Sequence, residues 1–131
     1  MPILTTVALL AVGIIHLIPL SGVLGPEHLV RLYGAAPSDP SALILMRHRA
    51  VLFGIVGGVC VLAAFKPALQ WLALILCGFS VVSFLWLAWS TGGFNAHLQR
   101  VVVADVVALL CLATGAAALA WAERAAPAPG A

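Results

Sequence analysis

Four long apolar runs separated by short polar breaks dominate the chain, at residues 3–24, 41–65, 68–89 and 96–122. Each meets the ~20 residues a helix needs to cross ~30 Å of hydrocarbon. The runs are continuous rather than alternating, which selects helices over strands. In hydrocarbon every backbone amide must pair inside its own helix or in a closed barrel. After the first run, Pro-Glu-His-Leu-Val-Arg-Leu-Tyr (26–33) mixes charge with Leu29, Val30, Leu32 and Tyr33. It reads as a short amphipathic helix at the membrane interface, opened by Pro26 and closed by Gly34.

The other breaks carry ordinary start and stop chemistry. Ser38-Asp39-Pro40 offers an N-cap and an N1 proline to the second span, Lys66-Pro67 makes a tight turn, and Asn95 can cap the fourth span. Residues 125–131 (Ala-Ala-Pro-Ala-Pro-Gly-Ala) have nothing to bury and read as a disordered tail. Connections this short make consecutive helices antiparallel neighbours. The expected fold is an all-α integral membrane protein: one domain over residues 1–124, an antiparallel bundle of four transmembrane helices with an interfacial helix after the first. The first run lacks a positive n-region and an A-x-A cleavage pattern, so it is expected to remain as a span.

Composition removes the soluble alternatives. The 131 residues are 64% hydrophobic and 8% charged, against about a quarter charged in an average soluble domain. A net charge of +2 is too small to imply nucleic acid. The partner implied is the lipid bilayer, and the location expected is a bacterial inner membrane. Arg31, Arg47, Arg49 and Arg100 fall on the side of the first and third loops, Lys66 and Arg124 on the other. Counted plainly, four against two, the arginine excess puts the first and third loops in the cytoplasm and both termini outside; with the three arginines inside predicted helices discounted as structural, the count becomes one against two.

Depth is the informative feature of the polar residues. At ~1.5 Å per residue, His16, Arg47-His48-Arg49 and Asp105 all lie roughly 10–15 Å below the same face. Arg100 and His97 lie nearer that surface, where a head-group anchor belongs. At 100° per residue Arg47 shares a face with Ala50, Gly54 and Gly58, small residues that allow close helix approach, so it is expected to point into the bundle. Arg49 groups with Leu52, Phe53, Val56 and Cys60, so it snorkels to head groups or meets a second partner. A lone intramembrane charge is costly. Arg47 with Asp105 is therefore the expected pair, with Arg49 as the alternative; its plain reading is a structural salt bridge that fixes helix packing. On the face of His16, Pro19 cannot donate to the carbonyl of Ile15, which leaves a bare acceptor beside the imidazole. The plain reading of His16 is an interhelical hydrogen bond. The tryptophans lie near span ends as an aromatic belt, and only Trp86, about a turn inside, is a candidate site wall.

Cys60, Cys77 and Cys111 fall one per helix with no C-x-x-C spacing, which supports neither a disulfide nor a cysteine metal site. His16, His28, His48 and His97 form no H-x-x-x-H pair, and Asp105 is the only acid at depth, so metal and haem are disfavoured as cofactors. A nucleotidyltransferase is excluded by the missing α/β domain and H-x-G-H motif.

Gly13-Ile14-Ile15-His16, Arg49-Ala50-Val51-Leu52-Phe53-Gly54 and the segment from Arg100 to Asp105 resemble the small four-helix membrane proteins of the DoxX-like group. The resemblance spans nearly the whole chain and implies a four-helix membrane fold. Members with an assigned role are linked to thiol or quinone redox partners, so the resemblance admits quinone as a cofactor and leaves its identity open. The small multidrug transporters are a second comparison, but they depend on a glutamate in the first helix, where this chain has His16.

Three functions follow. The first is a net-positive pocket that binds an amphipathic small molecule, lipid-like or quinone-like, through Arg47, Arg49, His16, His48, Trp86, Asp105 and Arg100. The second is an enzyme in the same pocket that moves a proton on a lipidic substrate or assists quinone reduction, with His16, His48 and Asp105 as catalytic candidates. The third is an accessory subunit or homo-oligomer that packs through the small residues Ala113, Gly115, Ala116, Ala117, Ala118 and Ala120.

Overall fold

The computed structural model describes residues 2–130. Its helices are α1 (Ile3–Leu17), α2 (Pro26–Tyr33), α3 (Pro40–Phe65), α4 (Gln70–Thr91) and α5 (Ala96–Ala125). A 3-10 segment, Ile18–Leu24, continues α1, and a short one, Pro67–Leu69, opens α4. Four of these units are long and apolar enough to cross a membrane: Ile3–Leu24, Pro40–Phe65, Pro67–Thr91 and Ala96–Ala125. The molecule is an all-α membrane bundle, and no strand occurs among the described residues. Residues 126–130 form no regular element and are exposed, and Ala131 at the end of the expected tail lies outside the described residues.

Local chemistry sets the boundaries. The carboxylate of Asp39 accepts the amide of Ala42 at 3.0 Å and caps α3, with Pro40 at the first helical position. Asn95 Oδ1 accepts the amide of Leu98 at 2.9 Å and caps α5. Helix α1 gives way to 3-10 winding at Ile18 because Pro19 has no amide to continue the ladder.

Helix α1 packs mainly against α3 and α5, while α4 closes the bundle against both of those helices. Where α1 crosses α3 the backbones nearly touch: a Cβ on Gly57 would lie 2.9 Å from the Gly13 carbonyl oxygen and from Leu17 Cγ. The core holds Leu9, Val12, Cys60, Ala63, Ala73, Leu74, Cys77, Val81, Ala108 and Leu112. Thr5 Oγ1 donates to the Gly115 carbonyl at 2.9 Å and ties α1 to α5 inside this core. The outer surface carries large apolar side chains such as Phe79 and Trp89, as a lipid-facing wall requires.

The expectation for the cysteines is overturned. Cys60 of α3 and Cys77 of α4 form a disulfide, and both are fully buried. Spacing along the chain gave no such signal because the bridge is made by the helical hairpin. The turn at Lys66-Pro67 lays α3 beside α4 and brings residues on either side of it to a common level. Cys111 is free.

Candidate functional site

The polar ends of α1, α3 and α5 converge beneath α2. His16 is 2% exposed. Its Nδ1 lies 2.9 Å from the Val12 carbonyl oxygen, and its Nε2 lies 3.3 Å from Ser80 Oγ of α4. A carbonyl only accepts, so Nδ1 carries a proton; in the neutral ring Nε2 then accepts from the Ser80 hydroxyl. The ring also lies against Phe53, with centroids 5.7 Å apart. His16 therefore makes the interhelical bond that its plain reading anticipates.

His16 and Asp105 line one cavity of about 240 Å³. Its walls are apolar, from Ile15, Pro19, Leu32, Phe53, Phe84 and Val101, and its mouth carries Arg31, His97 and Arg100. Asp105 is 8% exposed. It has no hydrogen-bond or ion-pair partner among the described residues, and neither do Arg31, His97 and Arg100. Ile18, one of the lining residues, is 58% exposed, so the lining reaches the outer surface of the first span.

Asn95 ties helix α2 down over this cavity. Asn95 Nδ2 donates to the Tyr33 carbonyl at 2.7 Å, so the side chain that caps α5 also clasps the end of α2. The chain then turns at Gly34 with φ 77°. A Cβ there would lie 2.8 Å from His97 Nδ1 and 2.9 Å from Asn95 Nδ2, so both conformation and space require glycine.

Arg49 stands behind the cavity wall, against Tyr33, Phe53 and Phe84. Its Nη1 donates to the Tyr33 hydroxyl at 3.1 Å. Its guanidinium carbon lies 4.6 Å from the Phe53 ring centroid, 5.5 Å from that of Tyr33 and 5.8 Å from that of Phe84. Tyr33 and Phe84 also line a second, wider cavity with Arg49, Met46, Phe94 and the loop residues Ala35 to Pro37. Arg49 is the cation whose charge reaches Asp105, although the two form no direct ion pair.

The expected pairing of Arg47 with Asp105 does not form. Arg47 is exposed, and its Nε donates to the Val23 carbonyl at 2.9 Å. The small face it shares with Gly54 packs on the 3-10 segment, where a Cβ on Gly54 would lie 2.7 Å from Leu20, and not on the bundle centre. His48 is exposed and lines neither cavity. Trp86 is 61% exposed and lies with Phe79, Val82 and Ser83 in an outer groove, so it is not a wall of the site. Of the expected residues, the structure brings together His16, Asp105 and Arg100, with Arg49 behind Tyr33 and Phe53.

Sequence reasoning passed over Arg31, Tyr33, Phe53 and Phe84 as site residues and placed His97 only as an anchor. The available signal was the polar face of the interfacial helix, since Arg31 is the cation in its last turn. Part of the small-residue surface of α5 is used internally: a Cβ on Gly115 would lie 2.9 Å from the Ala8 Cβ. No group of three His, Cys, Asp or Glu residues suited to a metal ion occurs among the described residues.

Compared with protein-family models, curated proteins and solved structures, the chain matches none.

Proposed function

We propose that this protein binds an amphipathic molecule, lipid-like or quinone-like, in the cavity under α2. One observation carries the reading: a small apolar-walled cavity has a buried acid and imidazole at its floor and three unpartnered basic side chains at its mouth. Soluble-protein ligand pockets are apolar with a few convergent polar groups, and this one includes the exposed Ile18, past which a tail would reach lipid. The resemblance to DoxX-like proteins points the same way, toward a quinone-like head.

The arginine excess supports a reading in which the first and third loops, and hence the cavity mouth, face the cytoplasm across a bacterial inner membrane. The buried Cys60–Cys77 bridge supports that orientation. It lies toward the opposite face, where an oxidising compartment would form it.

Native mass spectrometry of the protein after incubation with lipid extract tests the reading. An amphiphile is retained by the wild type and by Arg47→Ala, whose side chain is spent on Val23. Retention falls at least about tenfold in Arg31→Ala/Arg100→Ala, which removes two charge-assisted contacts. No retained ligand, or equal retention in the double variant, refutes it.

A second reading, an enzyme acting on a lipidic substrate, is favoured by Asp105, an unpartnered acid lining the same cavity. Both ring nitrogens of His16 are engaged, so Asp105 is the proton carrier in that reading. Turnover lost in Asp105→Asn with binding retained distinguishes it from binding alone.

A further inference from the structure

The polar groups of this cavity form two tiers with opposite demands. The outer tier is Arg31, His97 and Arg100, which lack any acceptor among the described residues. The inner tier is Asp105, which is 8% exposed and lacks any donor among them. Its neighbours cannot supply one. His16 has both nitrogens engaged, and Arg49 donates to the Tyr33 hydroxyl. A buried carboxyl group left without a partner is costly, and Arg31 and Arg100, exposed at the mouth, have donors to offer an anion. On α5 the step from Arg100 to Asp105 is five residues, a rise of about 7.5 Å toward the membrane centre.

We propose that the ligand is an anionic amphiphile with a hydrogen-bond donor, a hydroxyl or amide N–H, on the hydrocarbon side of its charge. This rests on the binding reading above and names the ligand class within it. The anion sits between Arg31 and Arg100, the donor reaches Asp105, and the tail leaves past Ile18. A cavity of about 240 Å³ is smaller than most ligand pockets, so it holds the head and adjoining carbons rather than the whole molecule. An oxidised quinone fits this pattern less well: it brings no charge to the arginines, and its carbonyls serve Asp105 only when that carboxyl is protonated.

Matched probes test the proposal: 3-hydroxytetradecanoate against tetradecanoate, and a lysophosphatidate against its 2-deoxy analogue. Decylubiquinone serves as a fifth ligand. Binding is measured on the purified full chain in nanodiscs. The wild type binds the hydroxylated member of at least one pair about tenfold tighter, the size of a charge-assisted hydrogen bond. The responding pair tells a carboxylate from a phosphate. Asp105→Ala removes the preference, and Arg31→Ala weakens both members of the pair alike. Equal binding within both pairs by the wild type overturns the proposal without any variant having to fold, and so does a preference that survives Asp105→Ala. Decylubiquinone bound more tightly than the four anions overturns it while leaving the binding reading intact. Failure of all five to bind overturns both.

Discussion

Arg49 shows how one side chain can serve a bundle without an anion in contact. Its planar guanidinium lies over Phe53 and near Tyr33 and Phe84, and it donates to the Tyr33 hydroxyl. Lysine carries the same charge but cannot stack or reach in that geometry. Arg49→Lys is expected to lower stability by about 1–2 kcal/mol, read from thermal melts in detergent, whereas Arg47→Lys, at an exposed site, leaves the melt nearly unchanged. Equal effects at the two positions would refute this assignment. The two arginines also mark a limit of sequence reading. Helical phase separates their faces correctly, but phase alone does not say which face is inner. The small residues below Arg47 fit against Leu20 at the flank of the bundle, while the larger Phe53 below Arg49 points to its centre. The same ambiguity displaced Trp86 in favour of Phe84, two positions earlier on α4.

At the level of elements, Asn95 joins two helices through one amide. Its oxygen caps α5 and its nitrogen holds the Tyr33 carbonyl of α2. Asn95→Asp keeps the acceptor and loses the donor; Asn95→Ala loses both. Hydrogen exchange is expected to rise across residues 26–34 in both variants, but across the first turn of α5 only in Asn95→Ala. The lost cap costs about 1 kcal/mol. The caps, prolines and apolar runs made the spans legible to within a few residues, because hydrocarbon dictates both length and content. The second job of Asn95 was not legible, since it depends on α2 folding back onto α5.

For the molecule as a whole, the hairpin of α3 and α4 is locked by Cys60–Cys77, and Cys111 is the remaining thiol. Alkylation under denaturing, non-reducing conditions is therefore expected to add one label per chain, and three after reduction. Three labels without reduction would remove the bridge. Long-range facts of this kind are the least legible in a chain of apolar helices. Any two spans can slide or rotate against each other without changing the hydrophobic pattern, so the pattern fixes what crosses the membrane and leaves open what meets inside it. The close approach of Gly13 and Gly57, the Thr5–Gly115 bond and the His16–Ser80 bond select one arrangement.

The 3-10 winding that follows Leu17 has a consequence for reach. Wound that way, a residue advances about 2.0 Å instead of ~1.5 Å. The segment Ile18–Leu24 of 7 residues therefore covers about 14 Å where an α-helix would cover about 10.5 Å. The stretched strut lets the shortest crossing of the protein keep level with longer neighbours, and it delivers α2 to the surface at the height where it roofs the cavity.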